Sequence, residues 1–237
     1  MHVRFGWQTN FVLLVVLAGL LLVAAWLGLP HVTRPAPAKG HWLRAMLSAY
    51  ARLLREPRFL LYVAILAATT ATFYAFLAGA PIVLKGYGIG PDGIGWFIMA
   101  VPVSYILGNF MTSRLIQQMG ESRVMAWGQA LTVAGLLIML ALALGGVQTA
   151  LAVALPLLFL GLGHGLINPP ALAGTVSVLP ALAGSAAAVA GLMQQLTGAT
   201  GGYLVGMVPH EGAVNLGWMM LAFTLVAVAA QWALRRR

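Results

Sequence analysis

The strongest constraint on the fold is a stretch of 87 residues, from Val124 to His210, that contains no Asp, Glu, Lys or Arg. A helix that crosses a bilayer needs about 20 apolar residues, so this stretch has room for about three spans and their turns. Charged residues make up only 7% of the chain, against about 25% in an ordinary soluble domain. The composition therefore excludes a soluble globular protein, and its high hydrophobicity excludes a disordered chain.

Seven apolar segments predict an all-α integral membrane protein with seven transmembrane helices. The first, Phe11–Leu29, has 19 residues without a polar side chain, which is longer than the apolar region of a signal peptide, about 7–15 residues. The other six predicted spans are Phe59–Leu84, Gly93–Ile116, Val124–Gly146, Thr149–Asn168, Gly184–Val208 and Ala213–Leu234. We expect three parts: residues 1–30 with the first span, residues 31–58 as a linker, and residues 59–237 as a six-helix bundle.

The predicted linker is basic and begins irregularly. Six of the chain's 13 Lys and Arg residues lie in His31–Arg58, and Pro35, Pro37 and Gly40 interrupt its first half. Within His41–Leu54, one helical face carries Trp42, Met46 and Ala49 while the arginines lie elsewhere. This pattern predicts a helix that lies at the membrane surface.

The distribution of basic residues predicts the orientation. When the loops alternate sides, eleven of the 13 Lys and Arg residues fall on one side, which the positive-inside rule makes cytoplasmic. The chain would then cross a bacterial-type inner membrane with its N-terminus outside and its C-terminus in the cytoplasm. An N-terminus outside the cell favours the interpretation that this chain begins partway through a larger protein. Topology and anionic lipid account for the net charge of +9, so we expect the lipid bilayer and no nucleic acid as a partner.

No pattern typical of an enzyme or of a bound cofactor occurs in the sequence. It has no Gly-x-Ser-x-Gly elbow and no His-Glu-x-x-His motif, and all four acidic residues lie in loops or at span ends. The Gly-x-Gly-His-Gly run that contains His164 follows no strand, so it is not a nucleotide-binding loop. We expect no enzymatic activity, no cofactor and no metal.

Two spans carry candidates for a substrate cavity. In the second span aromatic and polar side chains recur at helical spacing, which fits either core packing or the wall of a cavity for an amphipathic ligand. In the fifth span His164 and Asn168 lie four residues apart on one helix face. An interhelical hydrogen bond and a cavity-lining role are both open for this pair. The cavity candidates are Tyr62, Thr69, Phe73, Tyr74, Phe76, His164 and Asn168.

Two other spans carry candidates for a helix interface. The sixth span has small residues four apart, a spacing that lets helix backbones approach closely and also permits sliding. The third span has a smaller polar set. The interface candidates are Tyr105, Asn109, Gln194, Gln195, Gly198, Gly202 and Gly206.

The turn between the third and fourth spans carries a resemblance to a known family. Its Gly108, Arg114, Gly120 and Arg123 resemble the Gly…Arg…Gly…Arg cytoplasmic turn of major facilitator transporters, with Ser113 where that family usually has Asp. Further matching segments follow in the family's order: Phe5-Gly6-Trp7-Gln8, Arg58–Tyr62, Tyr74–Pro81, Asn168–Leu172 and Ala183–Ala188. Together they resemble the last seven of the twelve spans of the Bcr/CflA drug-resistance branch.

The resemblance implies a fold and a function. The first span would be the last helix of the N-terminal half, and residues 59–237 would form the C-terminal bundle of two inverted three-helix repeats. The second and fifth spans would line the cavity, while the third and sixth would face the other half. The implied activity is proton-coupled export of small apolar or amphipathic drugs or metabolites by alternating access.

The resemblance also implies a partner. In the family the proton-carrying acidic residue lies in the N-terminal half, so this chain is expected not to transport without that missing half. Two alternatives stay open at this point: a complete small transporter that acts as a homodimer, and a membrane scaffold that does not transport.

Overall fold

The structure, a computed structural model, describes residues 8–28, 42–209 and 212–236. These residues form eight α-helices and one short 3-10 turn, Pro180–Leu182, with no strand among them, which confirms the all-α prediction. The helices are α1 (Gln8–Gly28), α2 (Trp42–Leu54), α3 (Pro57–Gly86), α4 (Pro91–Met119), α5 (Glu121–Leu144), α6 (Ala150–Ser177), α7 (Ala183–Met207) and α8 (Ala213–Arg235).

Each predicted span corresponds to one of these helices. The predicted end of the fifth span at Asn168 is wrong, because α6 continues through Pro169 and Pro170 to Ser177. Six of the helices, α1, α3, α4, α5, α6 and α8, are long and apolar enough to cross a membrane. The helix α7 has 25 residues, about 37 Å at 1.5 Å per residue, which exceeds a hydrocarbon core of about 30 Å. Gly, Gln and Thr residues interrupt its apolar stretches, and it is not among the six.

The described chain divides into two compact units, residues 1–42 and 43–237. In the first unit, α1 is an uninterrupted apolar helix. Residues 29–41, which include most of the irregular half of the linker, lie outside the described residues, as does Arg237. The three-part division of the chain therefore stays a prediction.

The helix α2 matches the helix predicted for His41–Leu54. Its Ala49 and Leu53 are buried, and Leu53 packs in one core cluster with Phe59 of α3. Glu56 then accepts a hydrogen bond from the backbone N–H of Arg58 at 3.4 Å, while Pro57 occupies the first helical position, where its missing N–H costs nothing. The tight connection fixes where α3 begins.

The second unit is built from two similar groups of three helices. The helix α3 packs mainly against α7 and α8, and α6 packs mainly against α4 and α5, while α5 also contacts α8. This pattern of contacts is unchanged when α3, α4 and α5 are exchanged with α6, α7 and α8. Because each group has an odd number of spans, the two groups enter the membrane in opposite directions, which is the inverted-repeat arrangement of many transporters.

Burial differs sharply among the helices of the bundle. The central pair, α3 and α6, contributes most of the buried residues, since each contacts helices of both groups. By contrast, only four residues of α4 and five of α7 are buried. These two helices leave broad apolar faces without a partner among the described residues.

Glycines of α6 set the closest helix contacts. A Cβ on Gly165 would lie 2.8 Å from the Cα of Gly108 on α4, and a Cβ on Gly163 would lie 3.1 Å from the backbone nitrogen of Thr132 on α5. Real Cβ atoms do not tolerate the first distance. The helix α6 is therefore held between α4 and α5 at backbone contact.

The glycine ridge predicted on the sixth span is used unevenly. A Cβ on Gly198 would lie 3.1 Å from the ring of Tyr74, and a Cβ on Gly201 would lie 2.7 Å from the carbonyl oxygen of Ala71. At Gly202 the nearest atom is 3.9 Å away, and no described atom lies within 4 Å of a Cβ on Gly206. Gly198 and Gly201 carry the contact with α3, and an interface role for Gly202 and Gly206 stays a prediction.

A candidate binding cleft between three helices

A cleft of about 270 Å³ lies between α3, α4 and α6. Its walls are mostly apolar and carry a few polar groups, which is typical of sites that bind small organic molecules. Its volume is near the lower end of such sites. The lining residues are Thr69, Thr70 and Phe73 of α3, Pro102 and Tyr105 of α4, and His164 and Asn168 of α6.

His164 is one of two buried polar side chains of the cleft, together with Thr69. It is 3% exposed, and it makes no hydrogen bond to any other described residue. The interhelical hydrogen bond considered for His164 is therefore absent from the part of the chain that the structure describes. A buried polar group without a partner is costly, so the imidazole is a group that a ligand in the cleft would satisfy.

Asn168 makes the interhelical contact that His164 does not. Its side-chain N–H donates to the hydroxyl oxygen of Tyr105 on α4 at 3.4 Å. Its Oδ1 is buried and has no hydrogen-bond partner among the described residues. The hydrogen bond orients the amide, and the free oxygen gives the cleft an acceptor close to the His164 ring.

The α3 wall of the cleft is held by its own hydrogen bonds. The Thr69 hydroxyl donates to the Ile65 carbonyl at 2.7 Å. Thr70 accepts a hydrogen bond from the Nε2 of Gln194 on α7 at 3.2 Å. Half-buried Phe73 contributes an aromatic face, with its ring centroid 6.1 Å from that of Phe76. With these hydroxyls engaged in hydrogen bonds, the wall offers a ligand mainly apolar surface.

The remaining aromatic candidates of α3 lie outside the cleft. Phe76 is 2% exposed and packs in the core, while Tyr74 packs against Gly198 of α7. Tyr62 lies against Gly174 of α6 and lines a separate polar pocket with Glu121. The aromatic stripe thus combines both interpretations that the sequence left open, and a direct binding role for these three residues stays a prediction.

The interface candidates are distributed around the cleft rather than gathered in one place. Tyr105 and Gln194 reach the cleft or its wall, as described above. Asn109 is half-buried on α4 beside Gly165, whereas Gln195 is exposed on α7. Thr70 and Pro102 line the cleft but were not among the residues predicted from the sequence. The spacing of Pro102 and Tyr105, three residues apart within one helix, was the available signal.

The turn motif has different roles at its four positions. Gly120 forms the turn between α4 and α5 with φ 80° and ψ 157°, a conformation almost restricted to glycine. Gly108 lies inside α4, where it contacts α6. The Arg114 guanidinium lies 5.2 Å from the ring centroid of Phe110, and neither Arg114 nor Arg123 forms an ion pair with any described residue.

The described residues contain no group of three side chains suited to hold a metal ion.

Comparison with known proteins agrees with this architecture. The sequence profile of the Major Facilitator Superfamily matches residues 1–202. The bicyclomycin resistance protein homolog of Haemophilus influenzae is 29% identical over 168 residues, which cover 69% of this chain and 41% of that protein. The riboflavin transporter RfnT of Brucella anthropi is 30% identical over 183 residues, which cover 74% of this chain and 43% of that protein.

The aligned segments therefore span less than half the length of either relative. The family match, in contrast, covers most of this chain, and the bundle has the paired three-helix groups described above. The chain is a multi-pass membrane protein of a transporter family rather than an enzyme, and it belongs to the major facilitator superfamily.

Proposed function

We propose that this chain is the C-terminal portion of a proton-coupled exporter of small apolar or amphipathic molecules. Membership of the major facilitator superfamily and the names of both relatives support a role in transport. The observation that carries the proposal is the cleft itself, where, among the described residues, the buried Oδ1 of Asn168 has no hydrogen-bond partner and His164 makes no hydrogen bond.

The chemistry of the cleft favours a flat organic ligand with hydrogen-bonding groups. Phe73 and Tyr105 supply faces for stacking. The Asn168 oxygen accepts a hydrogen bond, and the His164 ring can donate or accept one. Riboflavin, for which one relative is named, has this chemistry, and it serves here as a fluorescent probe of the ligand class.

The exposed faces of α4 and α7 support a missing half. A cleft of about 270 Å³ is small for a drug-sized ligand. The helix α4 both lines this cleft and carries one of the two exposed apolar faces. A second bundle against α4 and α7 would complete the site at the interface of the two halves. Transport would then follow from rocking of one bundle against the other, and the chain alone would not transport.

The proposed orientation places the ends of α2 and α8 in the cytoplasm of a bacterial-type cell. Because the chain has no cysteine, single cysteines report sidedness directly. Lys85→Cys, in the last turn of α3, is expected to react with an impermeant maleimide in intact cells. Arg236→Cys is expected to react only after permeabilisation, and the reverse pattern would refute this orientation.

A transport assay tests the proposed function. Efflux of riboflavin and of a panel of fluorescent drugs is measured in cells that express the chain alone or with the N-terminal half of a related transporter. We expect export only with the second half, abolished by an uncoupler. Export by the chain alone would establish a homodimeric transporter instead, and no export with any of several N-terminal halves would favour a scaffold.

A further inference from the structure

A second cavity lies between α5 and α8. This groove has a volume of about 470 Å³. Its depth follows from the sequence, because Ala126, Ala130 and Ala134 repeat every four residues along one face of α5 and leave space beside α8. Val228 and Trp232 form the facing wall.

The groove contains two buried amides with unmet hydrogen-bonding capacity. Gln129 is 5% exposed and Gln231 is 4% exposed, and both line the groove. The Nε2 of Gln129 and the Oε1 of Gln231 have no partner among the described residues. Buried polar groups are normally paired, so one donor and one acceptor here are left for a molecule that occupies the groove.

One end of the groove is strongly basic. An adjoining pocket of about 280 Å³ shares Ala126, Ala130 and Arg235 with the groove and adds Arg123 and Trp127. Arg123 forms no ion pair within the described chain, while Arg235 is oriented by hydrogen bonds to the Oγ and carbonyl oxygen of Ser122 at 3.0 and 2.7 Å. Both arginines therefore keep their charge available.

The side chains at the basic end are also typical of the boundary between membrane and water. Trp127 and Trp232 are exposed there, and the Arg236 guanidinium lies 3.3 Å from the ring centroid of Trp232. Trp and Arg are typical anchors at this depth. No described acidic residue lines the groove or the adjoining pocket; Glu121 lines a different pocket on the other side of Arg235.

We propose that the groove between α5 and α8 binds one anionic phospholipid. Its phosphate would lie between Arg123 and Arg235, one acyl chain would follow the alanines, and the Gln129 amide would donate to an ester carbonyl. From Arg123 in the adjoining pocket to Leu137 in the groove, α5 rises roughly 21 Å at 1.5 Å per residue, against about 15 Å for one leaflet of the hydrocarbon core. The apolar length and the basic end together match a lipid and not a soluble anion. This proposal does not depend on the transport function.

Native mass spectrometry of the purified chain tests the proposal. The chain is mixed in detergent with phosphatidylglycerol or with phosphatidylcholine of the same acyl chains. It is then released from the detergent in the mass spectrometer, and the lipids that stay bound are counted. We expect retention of one phosphatidylglycerol and loss of phosphatidylcholine. The double variant Arg123→Gln/Arg235→Gln is expected to bind phosphatidylglycerol roughly 30-fold more weakly, since each basic residue near an anionic surface contributes about a fivefold factor.

Two further variants separate the charge from the groove. Arg114→Gln removes the same charge outside the groove and is expected to bind like the unmodified chain. Ala130→Leu fills the groove without a charge change and is expected to lose the lipid. If the double variant does not fold, Arg123→Gln alone suffices, because Arg123 makes no ion pair in the described chain.

Three results would overturn the proposal. Equal retention of the two lipids would remove the requirement for negative charge. Thermal stabilisation by inorganic phosphate alone, to the same extent as by phosphatidylglycerol, would indicate a free-anion site. A dimer that Ala130→Leu abolishes, without any lipid preference, would assign the groove to a second copy of the chain.

Discussion

The hydroxyl of Thr112 on α4 donates to the backbone carbonyl of Gly165 on α6 at 2.9 Å. In a regular helix that carbonyl would accept the N–H of residue 169, four positions later. Residue 169 is proline and has no N–H. Thr112 therefore satisfies the carbonyl that Pro169 leaves free, in addition to a contact with the Gly108 carbonyl at 2.8 Å, and the helix continues through the proline to Ser177.

Thr112→Val removes this hydroxyl while it preserves the side-chain shape. We expect a loss of about 1 kcal/mol in the free energy of unfolding, as for other buried hydrogen bonds, measured by denaturation in detergent. In a Pro169→Ala background the restored N–H supplies the bond, so the same substitution should cost less. Thr200→Val is the control, since that exposed hydroxyl bonds only within its own helix. Equal costs in both backgrounds would contradict the coupling.

The end of α6 shows what the sequence could and could not predict. Hydropathy located the other spans of the bundle to within a few residues, but the fifth was predicted to end at Asn168, just before Pro169 and Pro170, whereas α6 continues to Ser177. A proline normally ends a helix, unless another group satisfies the carbonyl that it leaves free; here the Thr112 hydroxyl of α4 does so. That donor is 53 positions away in the sequence, so no local pattern contains it.

Gly163→Ala tests the backbone contact between α5 and α6. The added Cβ would meet the backbone of α5, 3.1 Å from the Thr132 nitrogen and closer to other atoms. Overpacking of this kind typically costs about 1–3 kcal/mol, which thermal unfolding would show. Gly206→Ala is the matched control in an open helical position and should be neutral or slightly stabilising. A similar effect at both sites would argue against this packing.

The same comparison explains the partial success of the glycine prediction. Glycines spaced four apart indicated a packed ridge on the sixth span, but spacing does not show which face meets a neighbour. The helix α7 presents Gly198 and Gly201 to α3, whereas Gly206 lies in open space. The tighter glycines, Gly161, Gly163 and Gly165, alternate between α4 and α5 because α6 lies between the two helices.

Gly120→Ala probes the turn between α4 and α5. At φ 80° and ψ 157° a Cβ is strained although no described atom crowds it, so we expect a loss of about 1–3 kcal/mol in the free energy of unfolding. Gly120→Asn should not rescue it, since asparagine tolerates the left-handed helical region and not this one. Full stability of the asparagine variant would show that the turn relaxes.

His164→Leu should separate binding from stability. The histidine makes no hydrogen bond within the described chain, so a leucine loses no hydrogen bond there and removes a polar group from a buried position. We expect thermal stability to stay equal or rise, while riboflavin affinity, measured by fluorescence quenching in nanodiscs, falls about tenfold or more. A marked loss of stability would show instead that His164 has a structural role.

Phe73 and Phe76 are one helical turn apart on α3, and truncation to alanine should affect them differently. At Phe76 it should mainly lower stability, and at Phe73 it should mainly lower ligand affinity. Phe76 is 2% exposed in the core, so Phe76→Ala should cost about 3–5 kcal/mol of unfolding free energy and weaken binding only through loss of folded protein. Phe73 faces the cleft, so Phe73→Ala should cost much less stability and lower ligand affinity in the folded fraction. The measurements are calorimetry and riboflavin binding normalised to folded chain. Because both residues lie on the stripe recognised in the sequence, identical behaviour of the two variants would mean that the cleft does not contact the ligand through α3.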